Sequence, residues 1–386
     1  MSGTAHLLFD LLVVFAAARV AGELFEHLHL PAVVGEILAG VLVGPSVLGL
    51  AHSSAALVTV ATLGVVVLQF AVGLETKPSD LLKVGWAAAA VASAGVALSI
   101  GGGFVFGRAV GYTTLTALFV GTAIASTSVG VTARALRDAG LLRRSAAKVV
   151  LGAAVIDDVM GPLVLAVVVG LSSGHADMLK AFVIFGEIVL FFALELWLVP
   201  KLVKRHAHLV EHLRTPNAPF MIAVGIMLLT AATAEWVGLA AVVGAFLAGM
   251  MLAETEARFS ISRDTRPLYD WLVPYFFAVT GMQVQISMFT NPRVLVLGVG
   301  LTVVAVAAKV IGGSAGAMRL GWRRALAVGV GMIPRAEIGL IVASAGLATK
   351  VLDAQTYAVI MFAIIATVLI GPLLIPVAFH RSAADP

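Results

Sequence analysis

The chain has 386 residues, of which 60% are hydrophobic and 12% charged, and its mean hydropathy is +1.06. Soluble domains carry about 45–50% apolar and about 25% charged residues, so the composition excludes a soluble enzyme and predicts an all-α polytopic membrane protein whose apolar surface contacts the lipid bilayer. The absence of cysteine excludes disulfides and thiolate chemistry, and the net charge of +4 is typical of basic cytoplasmic loops rather than of a nucleic-acid partner.

Long apolar runs, rather than alternating ten-residue segments, fill the chain and predict thirteen transmembrane helices. In chain order they are predicted at residues 5–27, 31–49, 56–74, 84–110, 114–136, 146–171, 178–203, 217–235, 237–254, 268–287, 293–318, 323–347 and 354–379. The longest polar stretch between spans, Ala253–Pro267, is predicted to be a loop or a short surface helix. No soluble domain fits between spans, so we expect one integral membrane unit over residues 1–386.

The basic residues predict the orientation, because cytoplasmic loops carry the excess of Lys and Arg. With the N-terminus outside, the cytoplasmic loops hold 18 of the 25 basic residues: Lys77, Lys83, Arg134, Arg137, Arg143, Arg144, Lys148, Lys201, Lys204, Arg205, Arg214, Arg258, Arg263, Arg266, Arg319, Arg323, Arg324 and Arg381. The opposite loops hold Arg108, Lys180, Arg293 and Lys350. We therefore expect the N-terminus outside and the C-terminus in the cytoplasm.

Three segments of the first half resemble three segments of the second half, at offsets of 209, 207 and 209 residues. The pairs are Val34–Gly40 with Val243–Gly249, Phe70–Leu74 with Phe277–Met282, and Ala123–Gly130 with Met332–Gly339. The offset equals seven spans, an odd number, so the two copies must cross the membrane in opposite directions. We predict inverted repeats at 1–176 and 217–386, joined by a linker helix at 177–216, an architecture typical of secondary transporters.

Several polar residues, whose insertion into the hydrocarbon core costs free energy, are predicted to lie at the same depth in the membrane. At 1.5 Å per residue from the cytoplasmic ends of their spans, Thr127, Asp157, Lys309 and Arg335 lie about 15–18 Å deep. This depth is near the middle of a hydrocarbon core about 30 Å thick. Ionisable residues at that depth indicate function by default, so we predict a site where these four spans meet.

Asp157 and Asp158 are neighbours on one helix and point about 100° apart. One of them can pair with Lys309 while the other faces a water-filled cavity. Burial favours the protonated form of a carboxyl group, and the ionised form is an oxygen ligand for a small cation. A site that holds either a proton or a cation exchanges one for the other, which predicts antiport. The alternative is an Asp–Lys pair that only ties two helices together.

Two spans are predicted to be interrupted at equivalent positions of the repeats. Residues 125–130 carry three hydroxyls and a glycine, and residues 331–339 carry Pro334 with two opposite charges. Paired interruptions of this kind indicate a transporter site. Thr127 and Ser128 can then supply cation ligands, and Arg335 and Glu337 can offset the dipole ends of the half-helices. The alternative is a simple proline kink, with hydroxyls bonding back to their own helix.

The run Gly152–Asp158, together with Lys309 and Pro334–Gly339, is similar to the bacterial monovalent cation:proton antiporters, and within them to the NapA-type sodium/proton antiporters. The resemblance covers nearly the whole chain. It implies a homodimer of thirteen-helix subunits in the bacterial inner membrane. Each subunit would have an ion-binding core (84–171 and 293–379), with two crossed broken helices, that moves like an elevator against a dimerisation scaffold (1–74 and 217–287).

The resemblance also implies residue roles. Asp158 matches the carboxylate that carries sodium or a proton, Asp157 matches the acid that pairs with Lys309, and Thr127 and Ser128 match the unwound stretch beside the site. It implies electrogenic exchange, with more protons than sodium ions moved per cycle. We expect no enzymatic activity, no cofactor beyond the transported sodium, lithium and protons, and no cytoplasmic regulatory domain.

Two other transport functions stay open. A potassium/proton antiporter would share the same fold and motifs, and a sodium-coupled organic-anion symporter would share inverted repeats without requiring the Asp157–Asp158 pair. An intramembrane aspartic protease is disfavoured, because its two aspartates must face each other from separate helices. A passive channel is disfavoured because a continuous pore needs no paired broken helices.

Overall fold

The residues that the structure describes form helices and contain no β-strand. The structure is a computed structural model that describes residues 3–28, 30–76, 78–172, 183, 186–195, 201, 217–253 and 260–382. The α-helices, numbered here in chain order, are α1 (Gly3–His27), α2 (Ala32–Val43), α3 (Ala55–Leu74), α4 (Pro78–Ala109), α5 (Thr114–Ala123), α6 (Val129–Asp138), α7 (Ser145–Ser172), α8 (Ala218–Trp236), α9 (Ala241–Leu252), α10 (Ile261–Met282), α11 (Pro292–Gly316), α12 (Trp322–Gly331), α13 (Glu337–Ala348) and α14 (Ala354–Ser382). Two short 3-10 segments lie at Ile286–Thr290 and Met318–Leu320.

Six of the described helices are long and apolar enough to cross a membrane: α3, α4, α7, α8, α11 and α14. The predicted class, an all-helical multi-pass membrane protein, is therefore confirmed. The predicted span at 178–203 and the linker 177–216 lie mostly outside the described residues, although residues 186–195 within them are helical. The number of thirteen spans thus stays a prediction.

Several predicted boundaries were wrong, among them the start of the span expected at 84–110, which is α4 and begins at Pro78. The second span was expected to reach residue 49, but α2 ends at Val43, because Gly44 is extended and precedes a proline, which disfavours helical backbone. The span expected at 268–287 is α10, which begins at Ile261 and ends at Met282. The end of the polar stretch Ala253–Pro267 is thus the first two turns of this helix, where Asp264 complements the helix dipole.

Capping residues account for several helix starts. The Ser54 hydroxyl accepts a hydrogen bond from the N–H of Leu57 at 3.2 Å, and that of Thr113 accepts one from Thr116 at 3.1 Å. Asn291 caps α11 in the same way, just before a proline at the first helical position. Such caps satisfy backbone donors that the membrane interior could not.

Small residues let α4 and α11 pack almost backbone to backbone. A Cβ atom at Gly312 would lie 2.8 Å from the carbonyl oxygen of Ala94, and one at Gly316 would lie 2.5 Å from the nitrogen of Val91. Close approach of this kind is the usual packing mode of helices in membranes. Because Lys309 lies one turn before Gly312 on α11, the same contact places its side chain against Gly95 of α4.

Glycines also join helices from opposite halves of the chain. On α2, a Cβ at Gly40 would overlap the carbonyl oxygen of Ala278 on α10. On α9, a Cβ at Gly249 would overlap the carbonyl oxygen of Phe70 on α3. Both contacts need glycine, and each joins a helix of the first half to one of the second.

Candidate functional site

The backbone is non-helical at two places that cross each other. The chain leaves α5 after Ala123 and enters α6 at Val129, and it leaves α12 after Gly331 and enters α13 at Glu337. Across the gap, the backbone N–H of Ser128 donates to the carbonyl oxygen of Pro334 at 2.8 Å. The hydroxyl of Thr132 donates to the carbonyl oxygen of Gly331 at 3.2 Å. The two interrupted segments therefore satisfy part of each other's backbone hydrogen bonding.

Arg335 lies at the centre of this crossing and is fully buried. Its Nε donates to the carbonyl oxygen of Ile124 at 2.6 Å, its Nη1 to that of Ile333 at 2.9 Å and its Nη2 to that of Ala305 at 2.6 Å. A broken helix leaves carbonyl groups without amide partners at its C-terminal end. The guanidinium supplies both the missing donors and a positive charge at the negative end of α5.

A buried ion pair lies next to the crossing. Nζ of Lys309 on α11 donates to Oδ2 of Asp157 on α7 at 2.6 Å, and both side chains are fully buried. The hydroxyl of Thr127, from the first break, donates to the same carboxylate oxygen at 2.8 Å. Charge pairing and hydrogen bonding together offset the cost of placing two charges out of water. Asp157 therefore joins α7 and α11 to the broken segment.

Asp158 follows on α7 and is 6% exposed. One turn later, a Cβ at Gly161 would lie 2.8 Å from the hydroxyl oxygen of Ser126 and 2.9 Å from the side chain of Ile338. The part of α7 that carries both aspartates thus lies directly against the first break and the start of α13. The hydroxyl of Ser126 has no hydrogen-bond partner within the part of the chain that the structure describes.

The structure brings Thr127, Asp157 and Lys309 into direct contact, with Arg335 in the same crossing. The hydroxyl of Ser128 accepts a hydrogen bond from the N–H of Val131 at 3.3 Å and so caps α6. Glu337 is the first residue of α13, and its side chain lies outside what the structure describes. The arrangement is a carboxylate neutralised by a lysine, beside a second buried carboxylate and two half-helix ends.

A second ionic cluster was missed by the sequence analysis. Arg134, which the loop count assigned to a cytoplasmic loop, lies in α6 and is 7% exposed, so that assignment was wrong. Its Nη2 lies 3.4 Å from Oε1 of Glu36 on α2, and its Nε donates to Oδ2 of Asp138 at 2.7 Å. Its Cζ also lies 5.5 Å from the ring centre of Tyr269. These partners explain how an arginine near a helix end is buried.

The same cluster lines a polar cavity of about 380 Å³ between α1, α2, α6 and α10. A second ion pair follows on α6, where Nη2 of Arg137 lies 3.2 Å from Oε1 of Glu75 at the end of α3. The two ion pairs therefore join the second half of a broken helix to α2 and α3. In the sequence, this cluster was indicated only by Glu36, an acidic residue in a helix of otherwise small or apolar residues.

A family model and similar known proteins agree on one type of protein. Residues 11–380 match the family model described as "Sodium/hydrogen exchanger, transmembrane". The high-affinity Na⁺/H⁺ antiporter NhaS3 of Synechocystis is 32% identical over 95% of this chain and 88% of its own length. The Na⁺/H⁺-K⁺ antiporter GerN of Bacillus cereus is 31% identical over 96% of each chain.

Among solved structures, the fold is similar to that of the sodium proton antiporter MjNhaP1 from Methanocaldococcus jannaschii. The TM-score is 0.71, with 15% sequence identity, and the match covers 98% of this chain and 100% of that one. At that identity the likeness shows a shared fold.

Proposed function

Because this chain belongs to the sodium/hydrogen exchanger family, and is thus a monovalent cation:proton antiporter, we propose that it exchanges sodium or lithium for protons at Asp158. The observation that carries the proposal is the position of Asp158, a buried carboxylate that directly follows the Asp157–Lys309 pair on α7. One turn later, Gly161 packs against Ser126 of the first break and Ile338 of α13, so this part of α7 lies against the crossing of the two breaks.

The chemistry at Asp158 is a competition. In a poorly solvated site, a carboxyl group is neutral when protonated and needs a counter-charge when ionised. Sodium supplies that charge, and hard oxygen ligands suit it. Two hydroxyls of the first break lie against this part of α7: that of Thr127 donates to Asp157 at 2.8 Å, and that of Ser126 would lie 2.8 Å from a Cβ at Gly161. Loss of the proton from Asp158 thus permits a cation to bind, and loss of the cation permits a proton to bind. This competition couples the proton gradient to the cation gradient.

We propose that exchange is electrogenic through the Asp157–Lys309 pair. With Asp158 alone, one proton would replace one sodium ion and no net charge would move. If sodium binding draws Asp157 away from Lys309, the lysine loses its stabilising partner in a buried site and releases a second proton. The distance of 2.6 Å between the pair makes the lysine charge depend directly on the position of Asp157.

Inverted repeats are also part of the proposal, with support from reciprocal helix contacts. Under the offset of about 209 residues, the contact of Gly40 with Ala278 is equivalent to the contact of Gly249 with Phe70. Likewise, Gly281 meets Ile37 where Gly73 meets Phe246. A pseudo-two-fold axis that exchanges the two halves produces such pairs of contacts.

For alternating access, we propose that the core (84–171 and 293–379) moves as an elevator against the scaffold (1–74 and 217–287). Helix packing favours this division: α4 packs along α7 and α11, while α3 packs along α9 and α10. The pairs Glu36–Arg134 and Glu75–Arg137 would link the scaffold to the core in this conformation. We further propose a homodimer in a bacterial inner membrane, with the N-terminus outside.

Cation choice needs a direct test, because the name of GerN includes potassium as well as sodium. The purified chain is reconstituted in liposomes with a trapped pH indicator, and sodium, lithium, potassium or choline is added under an imposed pH gradient. We expect sodium and lithium, but not choline, to dissipate the gradient. Dissipation by potassium alone would assign the potassium/proton alternative, and dissipation by none of the cations would overturn the proposal.

A further inference from the structure

An apolar groove of about 580 Å³ lies between α12 and the last turns of α14. Its walls are formed by Leu326 and Val330 of α12 and by Leu374 and Val377 of α14. Leu374 and Val377 are 39% and 51% exposed, so the groove opens on the outer surface of the molecule. Its volume is within the roughly 300–1,000 Å³ of small-molecule sites.

One end of this groove is basic. The broken span α12–α13 crosses once, and α14 returns from its far end, so the start of α12 and the end of α14 lie at the same membrane face. Arg323 from the first turn of α12 and Arg381 from the last turn of α14 both line the groove.

Trp322 completes the basic end and is 64% exposed. Exposed tryptophans in membrane proteins typically lie at the level of the lipid headgroups. The N–H groups of the first turn of α12 also point to this end, and the preceding Gly321 offers them no side-chain cap. Uncapped amides at a helix start favour an anionic group.

We propose that this groove binds one anionic phospholipid, with an acyl chain between α12 and α14 and the phosphate between Arg323 and Arg381. Arginine pairs recognise phosphate by charge-assisted hydrogen bonds, and the apolar walls exclude a free inorganic ion as the natural occupant. The two arginines complement the net negative charge of an anionic lipid, whereas the choline cation of a zwitterionic lipid offsets the attraction of its phosphate to them.

The position of the groove gives the lipid a route to the transport site. Val330 on its wall lies just before the break at Met332, so an acyl chain there contacts the half-helix that crosses at Arg335. The bound lipid thereby supports the packing of α12 against α14.

The test is native mass spectrometry of the full chain, purified in detergent and titrated with phosphatidylglycerol or phosphatidylcholine. We expect one tightly retained phosphatidylglycerol per chain and no comparable retention of phosphatidylcholine. Each arginine contributes about fivefold to binding an anionic lipid surface, so Arg323→Gln with Arg381→Gln should weaken retention roughly 25-fold. Arg319→Gln removes the same charge at the same membrane face, just before α12 and outside the groove lining, and should leave retention unchanged.

A second variant separates the groove from general surface charge. Val377→Trp fills the groove and keeps both arginines, and we expect it also to abolish the retained lipid. Thermal unfolding without added lipid checks that each variant is folded. The proposal would be overturned by an equal loss of lipid in Arg319→Gln, by full retention of lipid in Val377→Trp, or by displacement of the lipid by inorganic phosphate. It would also be overturned if the double arginine variant kept its lipid while its oligomer dissociated.

Discussion

Nζ of Lys309 lies 2.6 Å from Oδ2 of Asp157, and neither side chain has any exposed surface. Two charges buried in this way are stable only as a pair, since removal of one leaves the other without compensation, at a cost of about 3–5 kcal/mol. The pair therefore links the stability of the fold to any event that moves Asp157. Under the proposed function, sodium binding at the neighbouring Asp158 is that event.

The first prediction concerns this lysine. Lys309→Gln should make exchange insensitive to membrane potential, because the variant has no second proton to release. The measurement compares initial exchange rates in proteoliposomes with and without a valinomycin-imposed potential. If the single variant is unstable, Lys309→Gln with Asp157→Asn removes both charges and provides the same readout. Survival of the full potential dependence would make Lys309 a structural residue only.

The second prediction concerns Asp158. Asp158→Asn keeps the size of the side chain but can neither ionise nor bind a cation by charge, so sodium-driven pH changes should fall to the level of empty liposomes. Asp10→Asn is the matched control, because Asp10 is also buried but lies on α1. Thermal unfolding verifies both folds. Transport by Asp158→Asn at the wild-type rate would exclude Asp158 as the carrier.

The third prediction tests the packing that positions Lys309. A Cβ at Gly95 would lie 3.3 Å from both Cδ and Nζ of Lys309, whereas a Cβ at Gly101 on the same helix would contact nothing within 4 Å. Gly95→Ala should displace the ammonium and lower the exchange rate about tenfold, a change of about 1.4 kcal/mol. Gly101→Ala should leave exchange unchanged. Equal activity of the two variants would show that the lysine adjusts without consequence.

The fourth prediction concerns the pair between α2 and α6. If Glu36 and Arg134 must separate in each elevator cycle, Glu36→Gln should raise turnover severalfold and leave the apparent sodium affinity unchanged. Asp270→Asn, which removes an exposed i,i+4 partner of Arg266 at the same cavity, is the control and should have little effect. Unchanged turnover with a lower unfolding temperature would instead assign Glu36 a static role.

The fifth prediction concerns the loop before α14. The backbone N–H of Thr356 donates to Oδ1 of Asp353 at 2.7 Å, and this bond holds the pKa of Asp353 below its ordinary value. The stabilisation is therefore present above the pKa of the unfolded chain and is lost as the pH falls through the lower folded pKa. Asp353→Ala should cost about 1 kcal/mol at neutral pH, read as a lower unfolding temperature. In acid the difference should shrink, because the protonated carboxyl group accepts the hydrogen bond less strongly, and a difference independent of pH would contradict a charged cap.

Much of the site was predictable because its residues are costly in a membrane. Asp157, Lys309 and Arg335 were found by their depth alone, and the interruptions near Thr127 and Pro334 by hydroxyl and proline content. These signals depend only on the residue types and on their distance from the ends of a span, so they can be identified from the sequence alone. Which aspartate pairs with the lysine followed only from the family resemblance, and the structure shows Asp157 in that place.

Other features depend on which helices become neighbours, and a single sequence does not specify this. Arg134 looked like a loop residue because its partner, Glu36, lies far away along the chain. Gly95 looked like any small residue of an apolar helix, and only the packing of α4 on α11 shows that it accommodates the lysine. The end of α10 nearest Ile261 was missed because its polar first turns resemble a loop.

The most direct measurement is the apparent KM for sodium as a function of pH in proteoliposomes. If sodium and a proton compete for Asp158, the sodium-binding fraction falls as protons occupy the site, so the apparent KM should rise at least about tenfold per pH unit in the acidic range. The maximal rate at saturating sodium should stay constant over that range. A maximal rate that falls with pH while the apparent KM stays fixed would contradict the shared site.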